Sequence, residues 1–394
     1  MKKTILFLAL LFAFTGIFAQ KGKVMTALNY KDTGKLDKAV ESIEEAINPS
    51  NEKAASSIPW PRTWEVRGEI YQAVFQSKDE NIKKLVDNPL GIAFESYKKA
   101  LDLDEKGRNA KSIKIKLTLL TSDLTNQAVE AFNKEDYDKA LNAFEQIIEL
   151  EALPAMKTEG EEASVDTVII YNAGLAAYNA EKYDDAIKYY KEAAKYKYNG
   201  ARTYQLISSS YIAKKDTLGA LETLKEGLND YPDNNAIMVD LINIYLNMNK
   251  SDEAMKYLNM AISQDPKNAS FHFAMGTLYD KLGNFEESKK SYETAISFKP
   301  DYFDAYYNLG ALFFNKGVKQ VDVANAVPAN QPEKYEAEKE KANDEFKKAI
   351  PYMEKAHECN PKDRYTLESL KALYYRLGMV DKQKEVEEKM KNLE

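Results

Sequence analysis

Few residues in this chain have side chains suited to chemistry. Its 394 residues include two histidines, His272 and His357, and one cysteine, Cys359. These types supply metal ligands, general bases and nucleophiles. His357, Glu358 and Cys359 are consecutive. Successive side chains on a helix point in different directions, so these three cannot converge on one metal. His272 falls beside core positions of an apolar pattern and reads as a packing residue. No phosphate-cradling glycine loop and no serine-nucleophile elbow occurs. Carboxylate pairs abound, but on charged helices they are solvated faces. An enzyme is therefore not expected, nor a cofactor or metal. Cys359 has no partner for an intrachain disulfide. It reads as a helix-end packing residue, with a reactive thiol as the lesser alternative.

The chain opens with Lys2 and Lys3, an apolar run from Ile5 to Phe18, then Ala19 before Gln20. That order describes a secretory signal peptide over residues 1–19. The run is shorter than the roughly 18 to 20 residues a spanning helix needs, and no other segment approaches that length, so no transmembrane segment is expected. Removing 1–19 deletes two lysines. The net charge then moves from −7 to −9, with 53 basic against 62 acidic residues. Such a chain lacks the basic footprint of a nucleic-acid binder. The expected location is across the inner membrane, in the periplasm, with outer-membrane association as an alternative.

Periodicity is the strongest signal. Pro232, Pro266 and Pro300 stand 34 residues apart, as do Tyr211, Tyr245 and Tyr279. Ala220, Ala254 and Ser288 keep the same step, and so do Gly227, Ala261 and Ala295. Several columns sharing one period point to stacked repeats. At these columns the chain resembles the tetratricopeptide-repeat (TPR) family. Residues 269–302 match best, through Gly276, Tyr279, Gly283, Ser288, Tyr292, Ala295 and Pro300. The resemblance implies an all-α, right-handed α-solenoid of helix-turn-helix hairpins. The expected units are 20–53, 61–106, 121–154, 167–200, 201–234, 235–268, 269–302 and 303–361, the last with an insertion at 318–340. Residues 362–394 read as C-terminal capping helices. Small residues such as Gly174, Gly276 and Gly310, opposite Ala186, Ser288 and Ala349, are expected to let paired helices approach. Tyr211, Tyr245 and Tyr279 are expected to fill the space between successive units.

The resemblance also implies a concave groove lined by first helices. Matched onto this chain, the groove columns hold Asn126, Asn172 and Asn308, then Asn133, Asn179, Asn247 and Asn315. Tyr171, Phe273, Tyr307 and Phe314 flank them, with Arg202 and Gln205 between. A carboxamide both donates and accepts, so such rows can pair with peptide backbone whatever its side chains. The basic clamp that grips a C-terminal carboxylate in chaperone-binding relatives is not reproduced; only Arg202 stands in a comparable place. The implied function is a non-catalytic scaffold or adaptor of the cell envelope. Its partner is a protein or extended peptide, with an outer-membrane complex as a candidate. The alternative is a chaperone-like or glycan-associated holding module.

Three insertions break the period. Residues 76–91 contain the turn signal Asn88-Pro89-Leu90-Gly91. Residues 155–166 are acidic, with Glu159, Glu161 and Glu162. Residues 318–340 begin as a small-residue stretch expected to be a mobile, dispensable loop, and end in a Glu/Lys run expected to extend the following helix. Trp60 lies outside the repeat and either plugs a gap between the first two units or is an exposed contact.

Overall fold

A computed structural model describes residues 21–157 and 166–393. The expected signal peptide and the acidic Glu159, Glu161 and Glu162 lie outside the described residues. Among the described residues all regular structure is helical. Contacts divide the chain into two compact units, Met1–Ala220 and Leu221–Glu394.

Unit 1 contains α1 (21–32), α2 (Leu36–Ile47), α3 (Pro61–Gln76), a short α4 (Glu80–Lys83), α5 (Pro89–Leu103), α6 (Ala110–Asn133), α7 (Tyr137–Ala152), α8 (Thr167–Asn179), α9 (Tyr183–Lys195) and α10 (Ala201–Ala213). The unit boundary falls inside α11 (Thr217–Asp230). The hairpins α3/α5, α6/α7 and α8/α9 pack internally, and α5 on α6, α7 on α8 and α9 on α10 join them. One amphipathic hairpin cannot bury its apolar face alone, so stacking supplies the core. Tyr97, Tyr190, Phe94, Leu117 and Leu124 are buried in it.

Unit 2 contains α12 (Asn235–Asn247), α13 (Ser251–Gln264), α14 (Ala269–Lys281), α15 (Phe285–Phe298), α16 (Phe303–Asn325), α17 (Pro332–Cys359), α18 (Arg364–Arg376) and α19 (Val380–Lys391). Consecutive helices pack pairwise here too. Pro266 and Pro300 each follow a helix end by two residues, after Gln264 and Phe298. Proline cannot continue the helix and so marks the stop.

The turn between paired helices needs one residue at positive φ. Gly283 supplies it at 77°, but Glu181, Lys215 and Asn249 hold the equivalent place at 60°, 64° and 56°. A non-glycine residue there costs roughly 1 kcal/mol or more, which the surrounding packing must offset.

Three expectations change. Gly174 and Gly276 do not merely let backbones approach. Each faces an aromatic ring of the second helix: a Cβ would lie 2.7 Å from Tyr190 and 2.6 Å from Tyr292. Ser288 still contributes, donating to the Gly276 carbonyl at 2.9 Å. Tyr245 stacks on Tyr257 of its own hairpin, centroids 5.7 Å apart, rather than only filling space between units. The 318–340 segment is not a mobile loop throughout, because α16 runs to Asn325 and α17 starts at Pro332. Ala324 and Ala342 are buried between them, and Gln320 donates to Glu338 at 2.6 Å. Paired helices bury small side chains more readily than a free loop can, which explains the alanines. Trp60 is half-buried against the α1–α3 core, with the Lys21 ammonium 5.3 Å from its ring centre.

Candidate functional site

The candidate groove residues all sit on first helices of hairpins, but they are not equally available. Asn126 and Asn133 on α6, Asn179 on α8, Asn247 on α12 and Asn315 on α16 are exposed. Seven residues separate Asn126 from Asn133 and Asn308 from Asn315, close to two helical turns, so each pair shares a face. Asn172 and Gln205 are half-buried, and Arg202 is exposed. Asn179 uses one amide hydrogen on the Leu175 carbonyl of its own helix, at 2.8 Å.

One member of the set belongs to the core, and another is partly covered. Tyr171 is buried, with its ring 5.6 Å from Tyr190 and 5.1 Å from Tyr198. It supports the wall of the hairpin and does not flank open surface. Asn308 is half-buried, near the Tyr292 hydroxyl, which donates to Thr277 at 3.3 Å. Sequence position could not separate these from their exposed neighbours, since one residue's rotation around a helix decides burial.

The aromatic members gather in unit 2. Phe273 packs on Tyr292 and Tyr302, centroids 5.7 and 5.2 Å away. Tyr307 stacks on Phe303, and Phe314 lies 5.5 Å from Phe346. Arg376 sits over both Phe314 and Phe346. All three aromatics are half-buried, so each keeps an accessible edge.

In α18 the sequence reading saw only a cap and missed two residues. Tyr365 and Tyr375 are 71% and 73% exposed. Counting from Arg364, Tyr375 is twelfth in α18; counting from Phe303, Phe314 is twelfth in α16. That shared position was the available signal.

In unit 1 the matching surface of α3 is occupied by charge. Arg62 reaches Glu65 at 2.7 Å and Glu69 at 3.1 Å. Lys31 of α1 meets Glu69 at 2.8 Å, and Lys116 of α6 meets Glu69 at 2.7 Å and also pairs with Glu65. Ser112 donates to Glu65 at 2.7 Å. Burial pushes the Glu65 carboxyl up, but Lys116, Arg62 and Ser112 outweigh it and hold it below the usual range. Glu69 behaves alike, with Lys116 and Lys31 overcoming burial. Farther along, Gln72 and Gln76 both donate to Asp123, at 2.6 and 2.8 Å. These groups satisfy one another and tie α1, α3 and α6 together.

Of the residues singled out for chemistry, His272 has a structural partner, whereas the buried Nδ1 of His357 has none. The His272 Nε2 lies 2.8 Å from the Pro266 carbonyl, linking α14 to the preceding turn. Burial pushes the His357 imidazole down, and Lys389 adds to this, favouring the neutral form. Cys359 is half-buried at the end of α17, where burial pushes its thiol up. Among the described residues no group of three or more His, Cys, Asp or Glu could hold a metal ion. Among them, too, no helix is long and apolar enough to cross a membrane.

Paired helices, a 34-residue step and rings seated on small residues define a class of interaction repeat. Residues 211–275 match a tetratricopeptide-repeat family and residues 278–317 a TPR-repeat family. These residues carry TPR repeats. Among curated proteins no sequence matches it. Similar solved structures include MamA, at 22% identity over 49% of this chain and 94% of that one, with a TM-score of 0.35. A TPR-repeats protein from Bacteroides fragilis is 25% identical over 65% of this chain and 98% of that one, with a TM-score of 0.33. YrrB, described as a TPR protein with an unusual peptide-binding site, is 18% identical over 46% of this chain and 88% of that one, TM-score 0.35.

Proposed function

We propose that this TPR protein is a non-catalytic scaffold that holds an extended polypeptide partner on its first helices. The observation that carries this reading is the exposure of Asn133, Asn179, Asn247 and Asn315 at repeat-equivalent places. Each presents donors and an acceptor to a peptide backbone, whatever the peptide's side chains. Phe273, Tyr307 and Phe314 add apolar contact area in unit 2. Replacing Asn133 and Asn179 with Ala in unit 1, or Asn247 and Asn315 in unit 2, tests it. Each lost hydrogen bond should cost about 0.5–1.5 kcal/mol, so each pair should weaken binding by about 5- to 150-fold. Helicity should hold, because Ala favours helix over Asn. Partner affinity unchanged in both pairs sinks the reading.

We further propose export across the inner membrane and residence in the cell envelope, where an outer-membrane complex is a candidate partner. The Lys2–Ala19 pattern supports this. Mass spectrometry of the native protein should find its N-terminus at or near Gln20; an intact Met1 in the mature protein rejects it. A holding module for exported clients or glycans is the second reading, favoured by the exposed rings of Tyr365 and Tyr375. Capture from envelope extract separates the two: one stoichiometric partner supports the scaffold, and many unrelated clients support the holding module.

A further inference from the structure

The last two second helices, α17 and α19, meet along a seam. At one end Lys382 of α19 pairs with Glu354 of α17 at 2.8 Å, and its ammonium lies 5.4 Å from the centre of the Tyr374 ring. Tyr374 donates to the same Glu354 at 2.7 Å. Val386, one turn farther along α19, is 4% exposed. His357 stands one turn beyond Glu354 on α17 and faces Glu385 and Lys389 of α19.

The imidazole has one atom that this packing does not satisfy. Its Nδ1 is buried and, among the described residues, has no hydrogen-bond partner. In the charged ring both nitrogens are donors. A buried donor without an acceptor forfeits its hydration with no return, and a buried charge forfeits more. The seam therefore accepts the neutral ring and disfavours the charged one.

The charges around it have the same sense. Among the described residues, those that act on the ring are Glu358 on its own helix and Lys389 and Glu385 on α19. Burial is the largest effect and pushes the imidazole down; Lys389 adds to it, and together they outweigh the two carboxylates. Each carboxylate is already committed, Glu385 to Lys389 at 2.9 Å and Glu358 to Lys355. Burial pushes Glu354 up, but Lys382 and Tyr374 outweigh it and hold it below the usual carboxylate range. Lys389 holds Glu385 below that range too. Between about pH 7.5 and 5.5, His357 is the group on this seam whose charge changes.

We propose that His357 is an acid-sensitive latch on the C-terminal hairpin, and that its protonation loosens α19 from α17 and bares Val386 and the Tyr374 ring. With α19 undocked, the imidazole has its ordinary value, about 6.5. Docked, it binds fewer protons. Docking is therefore strongest above about pH 6.5 and weakens as pH falls through the lowered docked value. The latch goes beyond the scaffold reading, since it lies between second helices and uses none of the Asn rows.

Hydrogen exchange of the full chain at about pH 7.5 and 5.5, with rates corrected for intrinsic exchange, tests it. Protection of α19 should fall about threefold or more on acidification, while α16 of the same unit stays level. His357→Gln keeps the position neutral and should abolish the fall. His357→Leu should abolish it too, and serves if the Gln variant fails to fold. In the parent, nuclear magnetic resonance should find the His357 imidazole titrating below about 6.5. A level α19, a parallel fall in α16, the same fall in a folded variant, or a titration midpoint at or above about 6.5 overturns the latch.

Discussion

In unit 1 the first helices α1, α3 and α6 meet across charge, whereas in unit 2 the first helix α16 meets its second-helix neighbours α15 and α17 across aromatic rings. Lys31, Arg62 and Lys116 interlock with Glu65 and Glu69 to join α1, α3 and α6. In unit 2, Phe313 stacks on Tyr352 and meets Phe285 edge-on, and Phe314 meets Phe346 under Arg376. One repeat geometry therefore accepts two kinds of seam. The ionic seam requires every group to be paired, since breaking one buried pair strands a charge. The aromatic seam requires shape, since an emptied site leaves a cavity. Their responses to mutation and to pH should differ accordingly.

The largest expected effect is Phe346→Ala. Phe346 is 2% exposed and fills the space over Gly317, where a Cβ would lie 2.6 Å from its ring. The loss should be about 3–5 kcal/mol. Hydrogen exchange should accelerate in α16, α17 and α18, with α3 and α6 little changed. Equal acceleration in α3 and α6 would break the distinction between the units.

Glu65→Ala comes next, at about 2–3 kcal/mol, because it leaves Arg62 and Lys116 leaning on Glu69 alone. This estimate is discounted for their partial exposure, 30% and 20%. The pH response follows from the same groups. Glu65 and Glu69 have depressed folded values. Their contribution is fully present above the unfolded value, about 4.3, and is lost as pH falls through the depressed folded values. In unit 2 the half-buried Glu354, held by Lys382 and Tyr374, has the same sign with fewer partners. Exchange measured at descending pH below about 4 should therefore show α3 and α6 losing protection before α16 and α17. The reverse order would mean the ionic seam contributes little.

Replacing 318–340 with a short Gly/Ser linker is the smaller test. The sequence reading expects almost no change, since loop length costs stability only logarithmically. The structure expects a loss of about 2 kcal/mol, because Val318, Val321 and Ala324 pack in the hairpin. Thermal denaturation distinguishes the two; an unchanged Tm would return the segment to the status of a tolerated loop.

The helical fold was legible because it rests on local pattern. A 34-residue recurrence of small, aromatic and proline positions requires only that each hairpin stack on its neighbour. The site was legible in part. Asn133, Asn179, Asn247 and Asn315 stand on open surface, but Tyr171 turned into the core and Asn308 is half-buried. Their columns match those of exposed residues, and only the neighbouring ring or helix decides which side of the surface they occupy.

By itself the sequence determined the repeat, its turn positions and the scarcity of catalytic side chains, because these depend on residue type and spacing along one helix. The tertiary structure alone decided that Tyr190 and Tyr292 seat against Gly174 and Gly276 and that Glu65 and Glu69 bridge three helices. Each of these joins residues far apart in the chain, and no local periodicity records which distant side chain will meet which.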